Sequence, residues 1–380
     1  LNLARRLEFA TAGVGALLVL VASCAGCARQ HGASFPRAVA EAERAETAGR
    51  YAEAATRYDA AANVATLARD RDHARYLAGM MMVRDGNVRD GVVRLDEIAN
   101  ASPPTEHSAE AAYRAASIRS DSTDPKEAEL GMRAMEQVMF RFPTHGIAHS
   151  ALRRFLLDKD AKEGKRASLD YLERLANGPL GAGELGEIIA YQAAERMAEL
   201  DETARAHDAF LAVATKWPYP FGALWDNSLY RASEMDEKLT RYAHAIVDLE
   251  RMVGERETTS LVGSYTRPKM SAGLFRIGML YGFRLHDRAR GRDAFHRLQS
   301  EFATSKLRPD ALWFEARLWA DDGDAKTACD RLATLARDFP DSRYVPCAIE
   351  KCPALKRAEK SRAPKECHAY IGREDREPPH

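Results

Sequence analysis

Apolar and polar residues are distributed along this chain in a frame that keeps returning. Its clearest copy starts at a glycine, Gly49, with a bulky residue at Tyr51, a small one at Ala54, and further apolar positions at Tyr58 and Ala61. The frame recurs as Gly86, Val88, Gly91, Leu95, Ile98 and Pro103, and near the other end as Gly323, Ala325, Ala328, Leu332, Leu335 and Pro340. Between them stand Ala128, Gly131, Met135, Val138, Pro143, then Thr203, Ala206, Phe210, Val213, Pro218. Further copies are Tyr242, Ala245, Leu249, Met252 and Gly291, Phe295, Leu298, and the weakest is Ser168, Leu172, Leu175. Small residue, then larger ones four and seven positions on, puts all three on one face of a helix. The chain is therefore predicted to be all-α.

The small anchors at 54, 91, 131, 168, 206, 245, 291 and 328 are spaced 37, 40, 37, 38, 39, 46 and 37 residues apart. Each unit is expected to be two antiparallel helices, with the small residue where the partner helix crosses closely. Ala42, Gly79, Ala194 and Ala316, seven before the turn position, supply small contacts on the first helix. The glycine at the turn can take the left-handed conformation that ends the first helix, and the proline stops the second. This pattern resembles the tetratricopeptide repeat, whose period is about 34 residues. The resemblance covers residues 35–346 and implies about eight helix pairs stacked in a right-handed α-α superhelix, because no pair buries its apolar face alone. Two places are less regular. Residues 253–270 read as an elongated loop or a break in the array, and Gly178 to Gly186 as a poorly formed fourth repeat.

In tetratricopeptide arrays the first helices line the concave face. Ten residues before the turn position the chain carries Tyr76, Tyr191, Tyr230 and Trp313, with Arg84 and Arg317 nearby. Aromatic residues beside arginine suit a protein-binding groove; packing between repeats is the competing use of the same position. The turns Phe142-Pro143-Thr144, Lys216-Trp217-Pro218 and Phe339-Pro340-Asp341-Ser342 are similar to those of the outer-membrane lipoproteins of barrel assembly. They are equally similar to those of the periplasmic repeat protein of the Tol-Pal system. That resemblance implies a non-catalytic envelope scaffold with other proteins as partners. An accessory, pilotin-like subunit of a secretion, pilus or polysaccharide-export machine is the alternative.

The N-terminal segment agrees with an envelope setting. Arg5 and Arg6 precede an uncharged, mostly apolar stretch from Phe9 to Ala22, which leads into Val21-Ala22-Ser23-Cys24. A basic start, a short apolar run and a small-residue exit read as an export signal over residues 1–23. The exit resembles the lipobox of bacterial lipoproteins. Cys24 is then the lipidated residue, with Cys27 the poorer fit, residues 24–34 form a tether, and the chain is anchored at a membrane, the outer one facing the periplasm.

Charge and chemistry change the picture little. Lys+Arg and Asp+Glu both number 56, and a balanced chain argues against nucleic-acid binding, which needs excess cations. No phosphate-binding loop, nucleophile elbow or His-Glu-x-x-His pattern occurs, and the Glu-Ser pair that lytic transglycosylases use is absent. No catalytic residue, cofactor or metal site is expected. His145 and His149 are spaced i,i+4 but have no partnering ligand, so they read as surface or capping residues. Cys329, Cys347, Cys352 and Cys367 fit two disulfides that staple a C-terminal cap helix within residues 347–380 to the last helix pair. Four cysteines allow three connectivities, and a zinc site with His368 is the other use of these residues. The charged, proline-rich end from Glu374 to His380 reads as a disordered tail.

Overall fold

A computed structural model describes residues 34–255, 258–259, 263–264, 267–368 and 371. The expected export signal, Cys24 and the charged tail lie outside the described residues.

The helices fall where the frame puts them. First and second helices of the pairs are α1 (Ser34–Thr47) with α2 (Tyr51–Val64), α3 (Ala68–Arg84) with α4 (Val88–Ala99), and α5 (Ser108–Ser120) with α6 (Pro125–Arg141). Then come α7 (Ile147–Glu163), α8 (Lys165–Ala176), a single turn α9 (Pro179–Ala182), and α10 (Gly186–Glu199) with α11 (Thr203–Lys216). The series continues with α12 (Trp225–Lys238) and α13 (Tyr242–Gly254), α14 (Pro268–Met279) and α15 (Arg288–Glu301), α16 (Arg308–Asp321) and α17 (Ala325–Asp338). A short α18 (Val345–Lys351) follows. Among the described residues the chain is all-α apart from an antiparallel pair of two-residue strands, β1 (Thr258–Thr259) and β2 (Gly263–Ser264).

The anchors are buried as the frame requires: Ala54, Ala206 and Ala245 are fully covered. At glycine anchors the approach is closer still. A Cβ on Gly131 would stand 2.2 Å from the Ser120 amide nitrogen, and one on Gly91 would stand 2.8 Å from the Gly79 carbonyl oxygen. Gly291 meets the Gly282 backbone in the same way, at 2.8 Å.

Turns between first and second helices share one device. Five residues before the anchor, Gly49, Gly86 and Gly323 have φ of 71°, 92° and 82°. In three other repeats a side-chain-bearing residue is held there instead: Asp201 (58°), Thr240 (57°) and His286 (55°). The third repeat dispenses with it. Asp124 is extended, its carboxylate accepts the Lys126 amide hydrogen at 3.0 Å, and Pro125 opens the helix, the arrangement a proline at the first helical position favours.

The chain forms two compact units. One runs to Lys162 and takes in Gly183–Leu185; the other comprises Glu163–Ala182 and the chain from Gly186 onward. In the first unit the apolar residues make separate small clusters, such as Ala42, Ala54, Tyr58 and Met81, or Tyr76, Leu95, Ile98 and Ala111. In the second, one cluster extends from Ala214 through Phe275, Phe295 and Phe314 to Ile371. The boundary between units falls at the weak fourth repeat. Residues 255–267 connect α13 to α14, and the two helices share a core: Met252, Val253, Met270 and Leu274 are all fully buried. The long 46-residue interval between anchors is taken up by this connection and by a π-helical turn, Leu280–Arg284, at the end of α14.

The C-terminal cap follows the last helix pair. Its only helix among the described residues is the seven-residue α18, followed by irregular chain. Pro353 is the reason: the residue before a proline is pushed out of helical geometry, and Cys352 sits at φ −131°, ψ 84°.

Candidate interaction surface

In the second unit the first helices of three consecutive repeats present a connected row of polar and aromatic side chains. Counting ten residues back from each left-handed turn gives Tyr191 on α10, Tyr230 on α12 and Arg276 on α14. The Tyr191 ring lies edge-on to Phe210 at 5.5 Å. Burial and the neighbouring Glu195 push its phenol well above the usual tyrosine range. Glu195 accepts two hydrogen bonds from Arg231, both 2.8 Å, the fork-on-carboxylate geometry that also fixes orientation. Arg231 in turn donates to Glu234. Arg276 continues the row, donating to Glu237, to Glu234 at 3.2 Å and to the Tyr230 hydroxyl at 3.2 Å. Its guanidinium lies 5.3 Å from the Tyr230 ring centre, and the Lys269 ammonium lies 4.6 Å from the same ring. Burial works against the Arg276 charge, but the bond to Glu237 and the nearby carboxylates outweigh it and raise its pKa.

Glu195, Glu234 and Glu237 are thus matched by Arg231, Arg276 and Lys269. The row has no net charge and is held rigid by its own hydrogen bonds. It is half-buried: the side chains of Arg231 and Glu234 are 28% and 20% exposed. Such a surface can offer ring faces, carboxylates and guanidinium edges to a peptide without first having to order them. The row contains no nucleophile beside a base.

The structure divides the aromatic candidates. Tyr191 and Tyr230 belong to the row and remain partly exposed. Tyr76 is 9% exposed and stacks on His107 with ring centres 5.9 Å apart, so it packs between repeats. Trp313 is 1% exposed and stacks on Tyr344 at 5.1 Å, which corrects its reading as a groove anchor. Tyr344 is itself fixed by donating to Asp310 at 2.7 Å. Arg317 lies against Phe283 and Phe314, at 5.3 and 5.6 Å from their ring centres. Trp313 and Arg317 instead line a cleft of about 350 Å³ between α16, α17 and the C-terminal segment, with Lys351 across from them.

That cleft is walled by cystine. Cys329 is bonded to Cys352, and Cys347 to Cys367, so the zinc alternative does not apply to these four residues. His145 caps α7: its Nδ1 accepts the Ile147 amide hydrogen at 3.2 Å, while His149 is exposed.

Arg276 was within reach of the sequence, since it occupies the same place in the frame as the tyrosines; a search for aromatic residues passes over it. The Arg231–Glu195 pair had no such signal. Its members are 36 residues apart and meet only because successive first helices stack.

No protein-family model matches the chain, and no curated protein does. Solved structures similar to it include MamA 41-end from Desulfovibrio magneticus RS-1, at 17% identity and TM-score 0.36, covering 50% of this chain and 93% of that one. A tetratricopeptide repeat protein from Parabacteroides merdae has 12% identity and TM-score 0.32, with 75% and 99% covered. The apo form of RapI has 11% identity and TM-score 0.42, with 84% and 93% covered.

Proposed function

We propose that this chain is a non-catalytic scaffold of the cell envelope that holds partner proteins against the first-helix face of its second unit. The observation that carries the reading is the row Tyr191, Glu195, Arg231, Tyr230, Glu234 and Arg276, which is fixed in place before any partner arrives. Pre-ordered side chains spare a partner the entropy of arranging them, about 0.5–1.5 kcal/mol for each long side chain. An extended peptide or an amphipathic helix fits a face built this way.

Two features support the envelope setting. The paired cystines of the C-terminal cap belong to an oxidising compartment. The lipobox-like Val21-Ala22-Ser23-Cys24 supports an acyl anchor on Cys24 at the outer membrane, facing the periplasm. Outer-membrane protein assembly or Tol-Pal maintenance of the envelope is the working role.

Site-specific photocrosslinking in the producing cell tests this. A crosslinking residue in place of Tyr191 or Tyr230 should yield a discrete adduct with a protein of the assembly or Tol-Pal machinery. The same residue in place of Val247, on a second helix and 65% exposed, should yield none. Equal yields at all three positions, or no adducts, would sink the scaffold reading of this face. An adduct with a secretion, pilus or polysaccharide-export component would move the chain to that machine. Cys24→Ala should shift the protein from the membrane to the soluble fraction; unchanged fractionation removes the anchor.

A further inference from the structure

Away from the interaction row, three successive helices of the second unit bring a histidine and two carboxylates together: His207 on α11, Asp236 at the end of α12 and Asp248 on α13. The His207 Nε2 lies 3.4 Å from Asp236 Oδ1 and 3.7 Å from Asp248 Oδ2, and one ligand atom from each residue falls within 4.8 Å of the others. The group is enclosed. The Asp236 side chain is 0% exposed, and those of His207 and Asp248 are 12% exposed.

Two further facts point to something bound between them. Asp236 Oδ2 and Asp248 Oδ2 are both buried without a hydrogen-bond partner, a costly condition for carboxylates. Arg241 satisfies only the other oxygen of Asp236, at 2.7 Å. The His207 ring, meanwhile, is oriented from behind: its Nδ1 lies 2.9 Å from Asp208 Oδ1. A carboxylate on one ring nitrogen directs the other nitrogen's lone pair forward, the support that metal-bound histidines almost always have.

A proton on Nε2 is the competing occupant. It would draw a carboxylate to hydrogen-bond distance, roughly 2.7–2.9 Å, and both carboxylates stand farther off. With metal–ligand bonds of about 2.0–2.2 Å, the edges of a tetrahedral site are roughly 3.3–3.5 Å. The two distances from His207 to the carboxylates, 3.4 and 3.7 Å, are near that value. We infer that His207, Asp236 and Asp248 form a site for one divalent transition-metal ion, with zinc the best match and a fourth position left for water. One imidazole with two carboxylates suits zinc, whereas magnesium and calcium prefer oxygen ligands alone and more of them. The ion neutralises the orphaned oxygens and ties α11, α12 and α13 together.

The test is calorimetric titration of the chelator-treated full chain with zinc chloride, with magnesium chloride run beside it. Zinc should bind with one equivalent that is absent, or weakened about tenfold or more, in His207→Gln and Asp248→Asn. Magnesium should not compete. Cys27 can bind zinc of its own, so the quantity read is the equivalent lost on substitution. Cobalt in place of zinc should give the visible absorption of a tetrahedral ion in the wild type and lose it in both variants. Circular dichroism confirms that the variants stay helical; both are close in size to the native residues. Wild type that takes up no zinc, or folded variants that take up as much as wild type, overturns the site.

Discussion

Thr240 carries a φ of 57°, in the region that a β-branched residue enters at a cost of about 1–2 kcal/mol. The position is set by the turn and not by the residue, because Gly49, Gly86 and Gly323 hold the same place in other repeats. Thr240→Gly should therefore stabilise the chain by roughly 0.5–1 kcal/mol, the strain relieved being partly offset by a more flexible unfolded chain. Asp201→Gly should gain less, since aspartate tolerates this region better; urea unfolding of the two variants reads the difference. Glu315 makes a second residue-scale prediction. It is 2% exposed on α16, and burial raises its pKa against the lowering effect of Arg331, 3.2 Å away. A raised carboxyl pKa favours the protonated folded state, so its contribution to stability is full below the unfolded pKa and is lost as pH rises through the folded one. The stability of Glu315→Gln relative to wild type should accordingly increase from pH 4 towards neutrality. A difference independent of pH would show that Arg331 cancels the effect of burial and leaves the folded pKa at its unfolded value. Arg267 is a third case: with Asp226 it forms a buried pair at 3.3 Å, and it also donates to the carbonyls of Pro220 and Gly222, both at 2.7 Å. Arg267→Met should cost about 3–5 kcal/mol, because it leaves a buried carboxylate alone, and adding Asp226→Leu should recover part of that.

Between helices, the closest approaches decide which substitutions a pair survives. Gly49 and Gly131 are both conspicuous in the repeat frame, yet for different reasons. A side chain at Gly49 meets nothing within 4 Å and suffers only from its positive φ, whereas at Gly131 it would meet the backbone of Ser120 and Arg119. Gly49→Ala should cost about 1–2 kcal/mol. Gly131→Ala has to part α5 from α6 and should cost about 3 kcal/mol or more, with the loss of amide protection concentrated in those two helices. The cystines act on elements too. Cys329–Cys352 and Cys347–Cys367 close loops with separations of 23 and 20 residues, which should make each worth about 2–4 kcal/mol. Replacing either pair by alanine should loosen α17 and α18 and open the cleft beside Trp313. Near-ultraviolet dichroism of the Trp313–Tyr344 stack would report it.

Within each unit, helices pack mainly on their neighbours in sequence, so stability is expected to be a sum of local terms and not a single transition. Tyr58, 1% exposed and bonded through its hydroxyl to Glu46 at 2.8 Å, tests this. Tyr58→Ala should cost about 3–5 kcal/mol, and hydrogen exchange should rise in α1–α3 while α12–α17 keep their protection. A uniform rise along the chain would mean that it unfolds as one body. The same neighbour-to-neighbour construction explains why so much was legible in advance. A helix face repeats its small and large residues at fixed steps, so eight anchors could be counted in one dimension, and with them the turns at Gly86 and Gly323 and the helix stops.

What the sequence determined by itself is therefore what repeats: the all-α class, the helix pairs and their close contacts, because each depends on residues within one or two turns of each other. The tertiary structure decided what depends on stacking across tens of residues. It chose one of three connectivities for the cysteines, and it sent Trp313 into the core while leaving Tyr191 and Tyr230 on a surface. It joined Glu195 to Arg231 and gathered His207, Asp236 and Asp248 from three helices. None of those partners stands near another in the chain, and a charge or a ring in one repeat finds its neighbour only once the next repeat has been laid against it.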